Sequence, residues 1–397
     1  MDAVSWAISL IFSGMLAVIA IQCMIAIVAS GKADSAVDHD QPRLRVAVLV
    51  PAHNEATGIE PTLRQIKASL RAGDRCVVVA DNCSDDTAAV ARATGVEVLE
   101  RYDQTNRGKG FALDAGVRFL EPDPPEVLII VDADCDVDSD AIELLTRSVA
   151  ETNRPAQALY LMRMPIGGGP EAAVSVFAFL IKNWVRARAM HCLGLPVLLT
   201  GTGMAFPWVQ IREAKLASAE LVEDLALGLL LTRQGHGPVF CEHAHVQSDL
   251  PSDLGAAIEQ RTRWEHGYLS TILREVPPLL LTGLFRFQPT LLAVAIDLSV
   301  PPLALLAIGS MLAWLVLCVL SLWTMHWLPL AILSVAGAMA ILFLAIAFVR
   351  FGRAKVPVAA LASIPTYVWR KLGIYHRFVG KRQTEWVRTA RDAESQK

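Results

Sequence analysis

Apolar positions concentrate in two long uncharged stretches of this 397-residue chain. The first runs over Ala3–Gly31, and the second over Leu298–Val349, where His326 is the only basic side chain. Both exceed the roughly 20 residues that an α-helix needs to cross about 30 Å of hydrocarbon. The second stretch is long enough for two crossings, so the pattern predicts one helix in the first stretch and two more, at Pro302–Trp323 and Leu328–Val349.

The first stretch differs from a cleaved signal peptide in two respects. No basic residue precedes it, and its apolar body is longer than the usual 7–15 residues. We therefore expect residues 1–31 to form a retained N-terminal transmembrane anchor and residues 302–349 to form two transmembrane helices joined by Thr324-Met325-His326-Trp327.

The distribution of basic residues predicts the orientation of these helices. Residues 350–391 carry ten Lys or Arg against one Glu, whereas the tetrapeptide carries none. By the positive-inside rule, residues 32–280 and a basic tail at 350–397 lie in the cytoplasm, with 281–301 as an interfacial segment. We expect an integral protein of a bacterial-type inner or plasma membrane whose catalytic domain faces the cytoplasm and whose tail meets the lipid bilayer.

Residues 32–280 show strands alternating with helices. Short, β-branched runs predict strands, and longer periodic runs predict helices between them. The predicted strands are Leu44–Val50, Cys76–Ala80 and Val127–Val131, and the predicted helices are Thr57–Arg71, Asp85–Thr94 and Lys109–Leu120. This alternation predicts an α/β domain with a mostly parallel sheet and ligands at the carboxyl ends of the strands.

Two further segments have helical patterns. Val174–Met190 mixes aromatic and basic residues, and it fits either an amphipathic helix on the membrane surface or a core helix of the soluble domain. Asp253–Leu273 leads through Pro277-Pro278 toward the membrane.

Polar residues follow each predicted strand. The first strand ends in Pro51-Ala52-His53-Asn54-Glu55, the second in Asp81 with further acids, and the third in Asp132-Ala133-Asp134. Asp81 could bind a base or ribose, although Ser84 and the following acids are also suitable helix caps. These side chains should collect at one edge of the sheet.

Two carboxylates one residue apart are costly to hold together without a cation, so Asp132 and Asp134 predict a bound cation. Mg²⁺ or Mn²⁺ prefers such hard oxygen ligands and can bridge them to a diphosphate. The turn Asn106-Arg107-Gly108-Lys109-Gly110 precedes a helix, where backbone N–H groups and Lys109 could meet phosphate.

Charge and cysteine content exclude other classes. A formal net charge of −3 argues against a general nucleic-acid binder, and seven cysteines without a CxxC pair fit a reducing compartment. His236, Cys241, His243 and His245 match no standard zinc spacing.

The order of the motifs resembles that of the inverting family-2 glycosyltransferases, especially the cellulose, chitin and hyaluronan synthase-like membrane enzymes. The resemblance covers roughly residues 45–264 and implies a GT-A fold, a Rossmann-like nucleotide-diphosphosugar transferase domain. The residues that carry it are Pro51-Ala52-His53-Asn54-Glu55, Asp81, Asp132-Ala133-Asp134, Glu223-Asp224 and Gln260-Arg261-Thr262-Arg263-Trp264.

The resemblance also implies roles for single residues. Asp224 matches the catalytic base, and Val222 stands where the family usually has threonine. Asp81 matches the nucleotide-base aspartate, Arg263 a diphosphate contact and Trp264 an acceptor platform. Thr200-Gly201-Thr202-Gly203-Met204 fits a loop beside the acceptor or a structural turn. The whole expected substrate-binding set is Pro51, Ala52, Asn54, Glu55, Asp81, Lys109, Asp132, Gly201, Thr202, Gly203, Glu223, Gln260, Arg263 and Trp264, with Asp132 and Asp134 on the metal.

The expected reaction moves a sugar, from a UDP-sugar in the favoured version, to a growing polysaccharide with inversion. The alternatives are transfer of one sugar to a lipid carrier or glycolipid, a catalytically silent scaffold and a transporter. Three spans are few for a self-contained polymer channel, so we expect an export or accessory subunit or a homo-oligomer, and no nucleic-acid partner.

Overall fold

The computed structural model describes residues 2–29, 43–165, 167–218, 220–251 and 254–380. These residues form two compact units. The helical unit comprises residues 2–29, 167–194 and 268–380, and the sheet unit comprises residues 43–165, 195–218, 220–251 and 254–267.

The sheet unit contains one eight-stranded mixed sheet in the order β3-β2-β1-β4-β7-β6-β8-β5. Its strands are β1 (Val46–Ala52), β2 (Arg75–Asp81), β3 (Glu97–Arg101), β4 (Val127–Ile130), β5 (Asp136–Val137), β6 (Ala156–Arg163), β7 (Met204–Pro207) and β8 (Val239–Asp249). The four strands from β3 to β4 are parallel, and β7 pairs antiparallel with both β4 and β6. The prediction of a mostly parallel sheet therefore describes the first half and misses the antiparallel half.

Fourteen α-helices complete the described part of the chain. They are α1 (Asp2–Val28), α2 (Ile59–Ser69), α3 (Thr87–Ala93), α4 (Lys109–Leu120), α5 (Ala141–Thr152), α6 (Pro170–Leu180), α7 (Ala187–Cys192), α8 (Trp208–Arg212), α9 (Glu223–Arg233), α10 (Leu254–Phe285), α11 (Pro289–Ser299), α12 (Leu303–Thr324), α13 (Leu328–Ala347) and α14 (Ile364–Gly380). The π-helical segments Ile181–Arg186 and Phe348–Gly352 and the 3₁₀ helix Val358–Ser363 have no number. The three strands and three helices predicted for the first half of the domain are confirmed to within a few residues.

Helix α4 packs closely on the central strands. A Cβ atom at Gly116 would overlap the Leu49 side chain of β1 and would come within 3.0 Å of Val79 of β2. Leu49, Val79 and Leu113 are buried in one apolar cluster with Phe206. Each such fully buried side chain stabilises the fold by about 1.5–3 kcal/mol. This packing fixes α4, and with it Lys109 in its first turn, against the sheet.

The helical unit contains three helices that are long and apolar enough to cross a membrane: Ala3–Val28, Leu303–Thr324 and Leu328–Gly352. This confirms the predicted number of apolar helices. Ser9 of α1 donates a 2.7 Å hydrogen bond to the Pro329 carbonyl oxygen, so the N-terminal ends of α1 and α13 lie together. At the other end of α1, Arg188 donates to the carbonyl oxygens of Ala26 and Ala29 and thereby caps the helix.

The segment predicted at Val174–Met190 belongs to the helical unit, so its interpretation as a core helix of the soluble domain is wrong. Its aromatic residues pack on the end of α13. Phe177 contacts Phe348 edge to face at 5.2 Å, and Trp184 contacts Phe351 at 5.1 Å.

Asp297 is buried in the helical unit with a basic partner. Its carboxylate lies 2.8 Å from Arg186 Nη2 and accepts a 2.7 Å hydrogen bond from Gln22 Nε2. Each group satisfies the others, as burial of charge requires. The helix predicted from Asp253, a residue outside the described ones, is α10 from Leu254, and it continues well past Leu273 through Pro277-Pro278. Val276 and Leu279, beside the two prolines, are buried.

Candidate functional site

The carboxyl ends of β1, β2 and β4 meet at one edge of the sheet. Ala52 lies opposite Ala80, and Leu49 of β1 lies opposite Ile130 of β4. A cleft of about 160 Å³ opens there. It is lined by Pro51, Ala52, His53, Glu55, Asp81, Asn82, Arg107, Gly108, Lys109, Ala112, Asp132, Ala133, Asp134, Gln260 and Arg263. Nine of the predicted site residues, including both members of the acidic pair, therefore share one cleft.

The turn after β1 is tied to the turn after β2. Asn54 adopts a left-handed φ of 56°, which asparagine tolerates, and its Oδ1 accepts a 2.7 Å hydrogen bond from the Ser84 backbone N–H. The Glu55 N–H donates to Thr87 Oγ1 at 2.7 Å. Asn54 thus shapes the rim, while Glu55 lines the cleft.

Asp81 ends β2 as a buried carboxylate with a cationic partner that the sequence did not reveal. Arg101 Nη1 lies 2.6 Å from Asp81 Oδ1, and Asn82 Nδ2 donates to the same oxygen at 3.1 Å. Arg101 also donates to the Asn106 carbonyl oxygen at 2.8 Å, in the turn before α4. Arg101 therefore neutralises the buried carboxylate and braces the turn that precedes Lys109.

Lys109 joins three parts of the site. Its Nζ lies 2.5 Å from Asp132 Oδ1, 2.8 Å from the Gly201 carbonyl oxygen and 3.7 Å from Glu223 Oε1. Burial disfavours the charged ammonium, but Asp132 and Glu223 outweigh this effect and raise the Lys109 pKa. The side chain is thus a fixed cation between the acidic pair and the start of α9.

Glu223 and Asp224 occupy the first turn of α9, where the helix dipole favours negative charge. Burial raises the pKa of Glu223 to about 7, the Lys109 ammonium opposes this shift, and the Asp224 charge adds to it. Burial therefore shifts Glu223 toward its protonated form relative to an ordinary glutamate.

The predicted glycine loop lies against Asp224. Gly201 has a φ of 93°, and a Cβ atom there would lie 3.4 Å from Asp224 Oδ2. Gly203 has a φ of 63°, and a Cβ atom there would approach the Ala158 Cβ to 2.8 Å. Between them, the buried Thr202 Oγ1 accepts a 3.0 Å hydrogen bond from the Asp132 N–H. Both glycines have left-handed backbone conformations that favour glycine, and at Gly203 an added Cβ would also clash with Ala158.

Gln157 holds this loop in place, and no sequence signal marked it. Its Nε2 donates to the Thr202 carbonyl oxygen at 2.9 Å, and its Oε1 accepts from the Thr200 N–H at 2.9 Å. A polar residue inside the otherwise apolar β6 is the one feature that could have drawn attention to it.

Glu223 and Asp224 also line a second cavity of about 190 Å³, between the first turns of α4 and α9. The chain at Leu216–Ser218 closes over α4 here. A Cβ atom at Gly110 would come within 2.6 Å of the Leu216 carbonyl oxygen and 2.8 Å of the Ser218 carbonyl oxygen. Only glycine fits between α4 and this segment.

Helix α10 supplies Gln260 and Arg263 to the cleft. Gln260 is buried, and within the described residues its Oε1 has no hydrogen-bond partner, so a ligand N–H or O–H could satisfy it. Trp264 is partly buried and is not among the residues that line the cleft. Val222, which replaces the usual threonine, packs toward Gly267, where a Cβ atom would come within 2.9 Å of Val222 Cγ1.

The carboxylates of Asp132 and Asp134 fit a hard divalent cation, which needs oxygen ligands. In the part of the chain that the structure describes, no three His, Cys, Asp or Glu side chains are grouped to hold a metal. The other ligands of such a cation would come from a diphosphate and water, as for Mg²⁺ at nucleotide sites.

A family model described as "Glycosyltransferase like family 2" matches residues 42–267. An uncharacterized glycosyltransferase of Mycobacterium tuberculosis is 32% identical over 148 residues, 37% of this chain and 62% of the relative. A poly-β-1,6-N-acetyl-D-glucosamine synthase of Staphylococcus aureus is 22% identical over 237 residues, 58% of this chain and 56% of the relative. The chain thus spans about three fifths of the length of these curated relatives.

Among solved structures, a mannosyltransferase of Pyrobaculum calidifontis in complex with GDP-mannose and Mn²⁺ superposes with a TM-score of 0.52. The identity is 17%, and the match covers 87% of this chain and 97% of that chain. At this identity the likeness concerns the fold, and it agrees with the mixed sheet and with the GT-A fold that the sequence resemblance implied.

Proposed function

The chain belongs to the family described as Glycosyltransferase like family 2, and on that basis we propose that it transfers a sugar from a nucleotide-diphosphate donor with inversion. One observation carries the proposal. Lys109 Nζ contacts Asp132 in the cleft and lies 3.7 Å from Glu223, the neighbour of Asp224. The acidic pair and the candidate base therefore belong to one connected arrangement.

Asp224 is the proposed general base. An acceptor hydroxyl must lose a proton as it attacks the anomeric carbon, and a nearby carboxylate can take it, for a gain of about 10²–10⁴-fold in rate. One displacement inverts the anomeric configuration. The glycine at position 201 leaves space beside the Asp224 carboxylate for an incoming sugar hydroxyl.

The acidic pair is proposed to hold the donor diphosphate through a metal. Asp132 and Asp134 would bind Mg²⁺ or Mn²⁺, and the bound ion would stabilise charge on the departing diphosphate. Arg263 and Gln260, which line the same cleft, would contact the diphosphate from the α10 side. Lys109 holds Asp132 in position, and its contact with phosphate stays a prediction.

Asp81 and Arg101 are proposed to hold the nucleotide base. Their ion pair closes the β2 side of the cleft, and the Asp81 carboxylate can accept a hydrogen bond from the N3–H group of uracil. UDP-sugars are therefore the first donors to test.

A growing polysaccharide is the favoured acceptor, and the similarity to the staphylococcal synthase over 58% of the chain supports it. The alternative is transfer of one sugar to a lipid carrier or glycolipid. The number of spans, three among the described residues, favours this alternative. A polymerase with so few spans would need an export subunit or a homo-oligomer.

We further propose that the three apolar helices cross a bilayer and that the sheet unit is cytoplasmic. Trp6, Trp323 and Trp327 are exposed at the ends of α1, α12 and α13 where Ser9 meets Pro329, as in an interfacial aromatic belt. The boundaries expected from sequence, residues 1–31, 32–280, 281–301, 302–349 and 350–397, stay a prediction. Within the range 32–280, residues 167–194 and 268–280 belong to the helical unit, so the proposed catalytic domain is the sheet unit.

The purified full-length enzyme tests the function. It would be incubated with a panel of UDP-sugars and GDP-mannose, with Mn²⁺, Mg²⁺ or EDTA, and both nucleotide release and product length would be measured. Metal-dependent UDP release with a polymeric product supports the favoured version. A glycolipid carrying one sugar as the sole product selects the alternative, and metal-independent hydrolysis without transfer would contradict both.

A further inference from the structure

Helix α14 packs beside the N-terminal end of α12, one of the three candidate membrane spans. Its buried residues, which include Tyr367 and Ile374, pack in one apolar cluster with Ala304, Leu305 and Ile308. The last three residues belong to the first two turns of α12. If α12 crosses a bilayer, α14 is therefore held at the membrane surface on the side where α12 begins.

The opposite face of α14 has the composition of a membrane-surface helix. Trp369 is 74% exposed, and Leu372, His376 and Arg377 are exposed on the same side. Tryptophan prefers the headgroup level, where its ring is apolar and its N–H remains hydrated. Lipid at the headgroup level would cover this exposed ring.

Cations surround this face without balancing acids. The sequence from residue 350 to residue 380 contains no Asp or Glu. Within the described residues, Arg350, Arg353, Lys355 and Arg377 are exposed and make no ion pair, whereas the nearby Arg370 is paired with Glu171 at 2.9 Å. Three of these four cations directly follow α13, at the end of the third candidate span.

We propose that these four cations and Trp369 form a lipid-binding surface, the basic collar, whose partner is an anionic phospholipid leaflet. The proposal rests on the membrane placement proposed above. Trp369 inserts at the headgroup level, and Arg350, Arg353, Lys355 and Arg377 attract phosphate groups of the surrounding lipids. An anionic surface favours each nearby cation by about fivefold, so the collar selects anionic over zwitterionic neighbours.

The first experiment uses the full-length protein in phosphatidylcholine nanodiscs that contain 30% phosphatidylglycerol. Spin-labelled phosphatidylglycerol should associate with the wild type at least tenfold more strongly than spin-labelled phosphatidylcholine. Arg350→Gln/Arg353→Gln/Lys355→Gln/Arg377→Gln should lose most of this preference. The control Arg64→Gln/Arg92→Gln/Arg118→Gln/Arg212→Gln removes four exposed cations of the sheet unit and should keep it.

An unchanged preference in the collar variant, or an equal loss in the control, would overturn the proposal. Lipid brominated near the headgroup gives a second readout that does not need the fourfold variant. It should quench a component of the wild-type fluorescence that Trp369→Phe lacks. If aqueous iodide quenches that component and brominated lipid does not, the face meets water or a soluble partner, and the proposal fails.

A separate experiment, extraction with alkaline carbonate, tests the membrane placement itself. Alkaline carbonate should leave the wild type in the membrane fraction, and its extraction would reject the three spans. If the wild type stays in the membrane fraction but shows no preference for phosphatidylglycerol, the basic collar is rejected and the three spans are not.

Discussion

The Lys109 ammonium lies 2.5 Å from the Asp132 carboxylate. Its positive charge also acts on Glu223 and Asp224 in the first turn of α9. Without it, the carboxylates of the acidic pair and of α9 would repel one another across the same space.

We expect Lys109→Met to lower kcat by about 10²–10³-fold, because a fixed cation at developing charge contributes on this scale. The donor KM should change little, because Lys109 is proposed to act by holding Asp132 and the Gly201 carbonyl oxygen in position. Steady-state kinetics with the preferred donor measures both constants. Lys67→Met, an exposed lysine on α2, serves as the control. A large rise in donor KM with unchanged kcat would instead show that Lys109 acts as a phosphate ligand.

Asp224→Asn should reduce transfer by about 10²–10⁴-fold, because the amide cannot accept the acceptor proton. Donor binding, measured by calorimetry with UDP and Mn²⁺, should persist. Asp114→Asn, which changes a half-buried carboxylate paired with Arg118 on α4, should leave transfer intact. Undiminished turnover in the Asp224 variant would reject its assignment as the base.

Gly201→Ala separates strain from loss of space. A left-handed conformation costs alanine about 1–2 kcal/mol relative to glycine. At position 201 its methyl group would also contact the Asp224 carboxylate. Gly73→Ala is the matched control, because Gly73 has a φ of 90° and no atom within 4 Å of an added Cβ. Both variants should lose similar thermal stability, and only the Gly201 variant should lose most of its activity. Equal activities would place Gly201 outside the site.

Glu223 predicts a pH effect on stability. Because its pKa is raised from 4.5 to about 7 in the folded protein, its contribution is fully present below pH 4.5 and is lost as the pH rises through 7. Glu223→Gln cannot ionise, so its melting temperature should rise relative to the wild type by roughly 5 °C between pH 5 and pH 8. Thermal unfolding of both proteins across this range measures the difference. A difference that is independent of pH would contradict the raised pKa.

Because Arg186 and Asp297 form a buried ion pair, we expect substitutions at the two positions to have strongly non-additive effects on stability. Arg186→Met leaves a buried carboxylate without its cation, which costs about 3–5 kcal/mol. Arg186→Met/Asp297→Leu removes both charges and should recover most of the lost melting temperature. Arg370→Gln, which breaks an exposed pair with Glu171, should cost under about 1 kcal/mol. If the double variant were less stable than Arg186→Met, the pair would not be the origin of the cost.

Local patterns were sufficient to predict the strand ends. Val127–Ile130 is fully buried and Asp132 comes two residues after it, so hydrophobicity alone placed the acidic pair at the sheet edge. Strand β3 was missed because it lies at the edge, half-exposed, with charged residues at both ends. Its last residue, Arg101, is the partner of Asp81, so the same miss concealed that ion pair.

Contacts between distant residues could not be read from patterns. Lys109 was expected to meet phosphate because it begins a helix, yet its described partners lie 23 and 92 positions away in Asp132 and Gly201. Gln157 reaches the glycine loop from β6 in the same way. Such pairings depend on the order of the strands in the sheet and on which helices pack beside them, and a single run of residues contains neither.

The helical unit is assembled from three separated stretches of sequence, which constrains its biosynthesis. The ribosome completes α1 first and must make the whole sheet unit before α12 and α13 emerge. At ~5–20 residues per second, roughly 15–55 s pass between the synthesis of α1 and the start of α12. Until then Gln22 has no Asp297 and Ser9 has no Pro329. If α1 crosses the bilayer as proposed, Ser9 and Gln22 lack these partners during that interval, and a chain truncated before α12 should be a substrate for membrane proteolysis.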